Sequence, residues 1–187
     1  MLFRSTRVYL LNRAEQTDGR GPTGKLLSPG DPLLEFRVTS YKAPDLSQVR
    51  TVLREQPPID LTKVVKQRRF EFDRSGGGWT VNGRSFNEER PDALVKRNTR
   101  EVWTLKNGGG GWSHPVHIHT EEFRLLSFNG RKPRYFEDGR KDVMVLGPGD
   151  EAEVFFNFRD YLGKYVMHCH NVVHEDHAMM IRFDLVE

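Results

Sequence analysis

Short stretches in which apolar and polar residues alternate, each closed by a cluster of glycine and proline, set the outer limits on this fold. Leu34, Phe36 and Val38 form one such stretch, Glu101 to Leu105 a second and Glu151 to Phe158 a third. Near the end of the chain Ile181, Phe183 and Leu185 alternate with Arg182 and Asp184. A period of two turns one side of a segment to a core and the other to water, which describes a half-buried strand. Between these stretches lie DGRGPTG (18–24), SPGDP (28–32), SGGG (75–78), NGGGG (107–111) and GPGD (147–150), all read as turns. No segment keeps a 3.6-residue apolar period for twelve residues, and a short helix is expected at most over Leu46–Leu53. The fold class is therefore all-β, a sandwich or a barrel.

At 187 residues the chain has room for one domain with a real core, or two very small ones. Residues 43–58 break the alternating rhythm with Pro44, Pro57 and Pro58 and read as a linker. Residues 1–42 then hold about three strands, too few to close a sandwich, and are expected to be the tail of a preceding domain. Residues 59–187 suffice for one complete sandwich. Lys and Arg number 29 against 26 Asp and Glu, a net charge of +3. That is too small and too scattered for a nucleic-acid footprint, and Arg68, Arg69, Lys132 and Arg134 read as solvated surface. No apolar run reaches the roughly 18 residues of a membrane helix, and MLFRSTRVYLL lacks the apolar core and cleavage site of a signal peptide. Cys169 is the single cysteine, which excludes an internal disulfide.

All seven histidines fall between positions 114 and 177. The first cluster is HPVHIH, with His114, His117 and His119; the second is HCHNVVH, with His168, Cys169, His170 and His174, followed by Met179. On a strand His117 and His119 share a face while Ile118 points to the core, and Pro115 suits a strand's first residues. The same alternation sends Cys169 to one side and its two flanking histidines to the other, so one tripeptide reaches two places. A thiolate, two imidazoles and a weak thioether make the ligand set of a blue-copper electron-transfer centre. His114 and His174 supply the imidazoles in this reading and Met179 the thioether. His117, His119, His168 and His170 form an all-imidazole set on the other face, which by itself suits copper, zinc or iron. His177 matches no ligand position and reads as an exposed loop residue.

HPVHIH together with HCHNVVHEDHAMM resembles the C-terminal copper signature of the multicopper oxidases, in particular the bilirubin oxidases and spore-coat laccases. GRKDVMVLGPGDEAEV (139–154) and GKYVMHCH (163–170) resemble the family's last cupredoxin domain, and RVYLLNRAEQ (7–16) with GDPLLEFRV (30–38) the end of its second. The resemblance implies a cupredoxin-like Greek-key sandwich preceded by a few strands of an incomplete cupredoxin domain. It implies copper as cofactor, with His114, Cys169, His174 and Met179 at a mononuclear type 1 site. His117 would serve the type 2 copper of a trinuclear cluster, and His119, His168 and His170 the type 3 pair. Glu175 matches a carboxylate near that cluster, a proton relay, against the plainer reading of a surface acid. Since no HxH motif precedes His114, half of the trinuclear ligands are expected from N-terminal cupredoxin domains in the same or another chain. Alone, this chain is not expected to reduce dioxygen.

The activity implied for the complete assembly is oxidation of a small aromatic reductant, a phenol, aromatic amine or tetrapyrrole, one electron at a time, with O2 reduced to water. The reductant is expected at an exposed edge of His174, with Cys169, His174 and Glu175 carrying the chemistry. Family resemblance implies export, with nothing in the residues to fix it. Two other classes compete: a single-copper electron carrier, which leaves the all-imidazole set without purpose, and a zinc or copper-storage site without colour.

Overall fold

The computed structural model describes residues 7–38 and 46–187; the first six residues and part of the expected linker (43–45) lie outside the described residues. It divides into two compact units, Met1–Glu55 and Gln56–Glu187. In the first, β1 (Arg7–Ala14) and β2 (Leu26–Arg37) pair antiparallel as a two-stranded ribbon. Two strands are described in this unit rather than three, because β2 runs straight through SPGDP, the segment read as a turn. A ribbon strand has a free edge where a proline's missing N–H costs nothing, and register shifts opposite Leu11 and Ala14 absorb the irregularity. Val8, Leu10, Leu34 and Phe36 stay exposed. Leu46–Leu53 forms no helix; it is irregular, and Leu46, Val49 and Leu53, which would share one helical face, stay exposed, so no packing supports so short a helix.

The second unit carries two sheets. One has six strands in the order β4 (Gly78–Val81), β3 (Val64–Ser75), β6 (Arg100–Asn107), β11 (Glu151–Asn157), β8 (Phe123–Phe128) and β9 (Arg140–Lys141). The other has five, ordered β10 (Val143–Leu146), β7 (His114–Ile118), β12 (Gly163–Cys169), β13 (Met180–Val186) and β5 (Pro91–Lys96). Sequential strands such as β6 and β7 lie in different sheets, while β3 with β6 and β5 with β13 run parallel. This crossing connectivity makes the Greek-key sandwich that was expected.

The alternating residues do the packing. From the six-stranded sheet Phe70, Phe72, Trp103, Leu105, Val154 and Phe156 meet Val116, Ile118, Met167, Ile181 and Phe183 from the five-stranded one. Trp103 stands edge-on to Phe183 at 5.4 Å and lies 4.7 Å from Phe156, which ties the layers at mid-height. Such aromatic pairs add about 0.5–1.5 kcal/mol each beyond their area. Beneath Trp103 sits Glu101, 2% exposed, which accepts from its indole N–H at 2.7 Å and from Arg68 Nε at 2.6 Å. Arg68 is thus a buried carboxylate's counter-ion and not the solvated base expected from sequence. No helix among the described residues is long and apolar enough to cross a membrane.

Candidate metal centre

Strands β7 and β12 lie side by side in the five-stranded sheet, with His168 opposite His117 and Cys169 opposite Val116. The pleat of these two strands sorts their side chains onto two faces. His114, Val116 and Ile118 of β7 face the core with Met167 and Cys169 of β12. His117 and His168 emerge on the opposite face.

On the core side, Cys169 Sγ lies 3.6 Å from His114 Nδ1 and 3.5 Å from His174 Nδ1, and the two ring nitrogens are 3.2 Å apart. His174 is carried there by a five-residue helix, α1 (Val172–Asp176), whose first turn is capped by the Asn171 side chain accepting from Val173 N–H. Two backbone bonds then close the loop: Met179 N–H donates to His174 O, and Cys169 N–H donates to Met179 O. Ala178 takes a left-handed φ of 71° to turn the chain into β13. Met179 is fully buried beside these residues.

Burial sets the protonation of this group. It pushes the His114 and His174 imidazoles down to about 4, with the charge of His174 adding to the effect at His114 and those of Arg74 and His177 at His174, and pushes the Cys169 thiol up to about 11. The three donors are therefore neutral at pH 7, a form that costs least in a dry pocket and that a cation converts to a ligand set by displacing the thiol proton. The spacing fits such an ion. Bonds of about 2.0–2.1 Å to nitrogen and 2.3 Å to sulfur, arranged around one metal, hold their donors roughly 3.3–3.8 Å apart. Nitrogen and thiolate together select a soft or borderline transition metal.

On the outer side His117, His119 and His168 converge, with His119 Nε2 3.2 Å from His168 Nε2. Burial, then the neighbouring imidazoles, lowers His119; burial also lowers His168, against the opposing pull of Glu175. His117 Nδ1 is 3.0 Å from the Asp142 carbonyl, which accepts a hydrogen bond from Nδ1–H and leaves the Nε2 lone pair free for a metal. Glu175 brings a carboxylate oxygen to 3.4 Å from His168 Nδ1. It is thus in contact with the group and not a detached surface acid. His170 stands beside the set, exposed, with its ring 5.5 Å from that of His168 and 5.7 Å from that of His117. His177 is exposed and sits apart, its Nδ1 against the Val173 carbonyl.

Two residues that the sequence reading passed over complete the inner group. Trp79 stacks on His174 with centroids 3.7 Å apart at 26°, and Trp112 stands edge-on to both at 5.0 and 5.4 Å. They follow two glycine turns. Gly76 and Gly77, at φ 59° and 84°, form the two-residue bend between β3 and β4 and bring Trp79 opposite Arg74. Gly108 leaves room where a Cβ would sit 2.7 Å from the Asp73 carboxyl. Under these indoles His174 is 0% exposed and its Nε2 has no hydrogen-bond partner. The exposed His174 edge expected from the sequence is absent, because both indoles occupy the space in which a reductant would touch it.

Sandwich and donor sets together define a cupredoxin-type protein with a thiolate–imidazole centre beside an all-imidazole one. The family model described as multicopper oxidase matches residues 53–186, and this chain belongs to that family. It is 40% identical over 162 residues to a bilirubin oxidase of Albifimbria verrucaria, covering 82% of this chain and 28% of that one. A laccase of Haloferax volcanii is 31% identical over 162 residues, 81% of this chain and 28% of its own length. Among solved structures, a laccase-like multi-copper oxidase CueO from an Ochrobactrum species superposes with a TM-score of 0.70 at 28% identity, covering 89% of this chain and 40% of that one. The chain thus spans roughly a quarter to two fifths of the relatives that it matches.

Proposed function

We propose that this chain is the copper-binding C-terminal part of a laccase- or bilirubin-oxidase-like enzyme, which takes single electrons from small aromatic reductants and delivers them to O2. One observation carries the reading. Cys169 meets His114 and His174 on the core side of β12, while its neighbour His168 joins His117 and His119 on the other. Two donor sets of the right chemistry are thereby linked by consecutive residues.

His114, Cys169, His174 and Met179 are assigned to one copper. His117, His119, His168 and His170 supply half the ligands of a cluster, which cupredoxin domains in the same or another chain complete. When bound, copper supplies the one-electron chemistry on one face and the reduction of O2 on the other. The chain's own residues prepare this. Burial keeps His114 and His174 unprotonated, so their Nδ1 atoms are available to a cation at any pH above about 4. The fully buried Cys169 surrenders its proton when the ion arrives. The Asp142 carbonyl orients His117, and the Glu175 carboxylate holds His168 and is placed to pass protons to that face.

Loading the chain with cupric ion is expected to give an intense blue thiolate charge-transfer band, and Cys169→Ser to abolish it. A band that survives the substitution refutes the assignment. Counting metals separates the oxidase from a simple electron carrier: copper beyond one per chain, taken up only on mixing with the N-terminal domains, belongs to the oxidase.

A further inference from the structure

The fully buried His174, covered by two indoles, raises a question of access. Its Nδ1 faces Cys169 and its Nε2 is shut off from water, so no molecule in solution touches the imidazole. Trp79 lies flat on it at 3.7 Å and Trp112 packs edge-on against both rings, itself only partly buried. Among the described residues the Trp79 indole, in van der Waals contact with the ring, is thus the most direct path by which an electron reaches the Cys169 centre through His174.

We propose that Trp79 is the bridge and the shield of this centre: a reductant is received at the partly exposed Trp112, and its electron crosses the buried Trp79 indole, 8% exposed, to the His174 ring stacked on it. The inference rests on the copper reading above and extends it to the outer face of the site. Tunnelling falls steeply with every ångström of empty or water-filled gap, so a ring in van der Waals contact with the imidazole couples far better than solvent does. The same stack holds the imidazole plane against the thiol, which makes Trp79 a positioning residue as well. The electron count is simple. The reductant loses one electron and, if a phenol, its hydroxyl proton to water; cupric ion becomes cuprous; the indole is unchanged. The Arg74 guanidinium, 5.3 Å from the Trp79 ring centre, disfavours a lasting positive charge on that ring, which suits a bridge and not a radical store.

Two measurements test this in the full chain. In the metal-free protein, diethyl pyrocarbonate followed by peptide mass spectrometry is expected to modify the exposed His170 and His177 at least tenfold faster than His174. Trp79→Leu should remove that protection. His174 reacting as fast as His177 in the unaltered protein overturns the shield, and this result needs no copper and no variant. In the copper-loaded protein without oxygen, hydroquinone should bleach the blue band about tenfold more slowly in Trp79→Leu. Trp79→Phe, which keeps a ring on the imidazole, should stay within about threefold. Equal or faster bleaching in the Leu variant overturns the bridge. If the unaltered chain shows no blue band at all, the copper assignment fails while the shielding result stands on its own.

Discussion

Metal uptake at Cys169 should be coupled to the release of one proton, not two or three, even in mildly acidic solution. Ordinary imidazoles near 6.5 are about three-quarters protonated at pH 6, so two of them plus a thiol would lose about 2.5 protons to an incoming ion. His114 and His174, held at about 4 by burial, carry about 0.01 proton each at that pH, which leaves only the thiol to titrate. The thiol at about 11 also withholds affinity: at pH 7 its deprotonation consumes about 4 pH units, on the order of 5 kcal/mol. The logarithm of the apparent association constant should therefore rise with a slope near one from pH 6 to pH 8. Cobalt(II) is a suitable probe, because its thiolate absorption reports this centre and not the all-imidazole group. Titrations at several pH values, with Cys169→Ser as the blank, read the slope directly. A slope near 2.5 at pH 6 falling toward one at pH 8 would show that the imidazoles are not desolvated and refute the burial account.

The same two imidazoles make the metal-free fold acid-sensitive. Their folded values lie below the unfolded 6.5, so as pH falls the unfolded chain takes up protons first. Their contribution is complete above about 6.5 and lost between there and about 4; urea melts should show a fall of a few kcal/mol from pH 7.5 to 4.5, and a flat profile would contradict this. Arg68→Ala leaves the 2% exposed Glu101 with only the Trp103 N–H and should cost about 3–5 kcal/mol in urea unfolding; adding Glu101→Leu should recover most of that loss. Glu175→Gln removes the carboxylate from His168 and should weaken metal binding at the all-imidazole group by about 10–100-fold. The Cys169 band should be unaffected, and an equal loss at both centres would point to a general disturbance of α1 instead.

The alternation Val116–His117–Ile118 and the tripeptide His168–Cys169–His170 by themselves determined that one short segment serves two faces, because a pleated strand cannot point consecutive side chains the same way. The all-β class was legible for the same reason, in Glu151–Phe158 and Ile181–Leu185. Family resemblance, not periodicity, supplied the division of the histidines among coppers. Local pattern misled where context competes with it: SPGDP reads as a turn but lies within β2, where a free edge tolerates proline, and Arg68 reads as surface until Glu101 is seen beneath it. What only the tertiary structure decided is the environment of the donors. Trp79 lies 95 residues before His174 in sequence, and no periodicity relates them; the β3–β4 bend and the packing of two sheets put one ring on the other. Burial, and with it the neutral imidazoles, the protonated thiol and the closed outer face of His174, belongs to the whole sandwich, because desolvation is set by everything that surrounds a group and not by its neighbours along the chain.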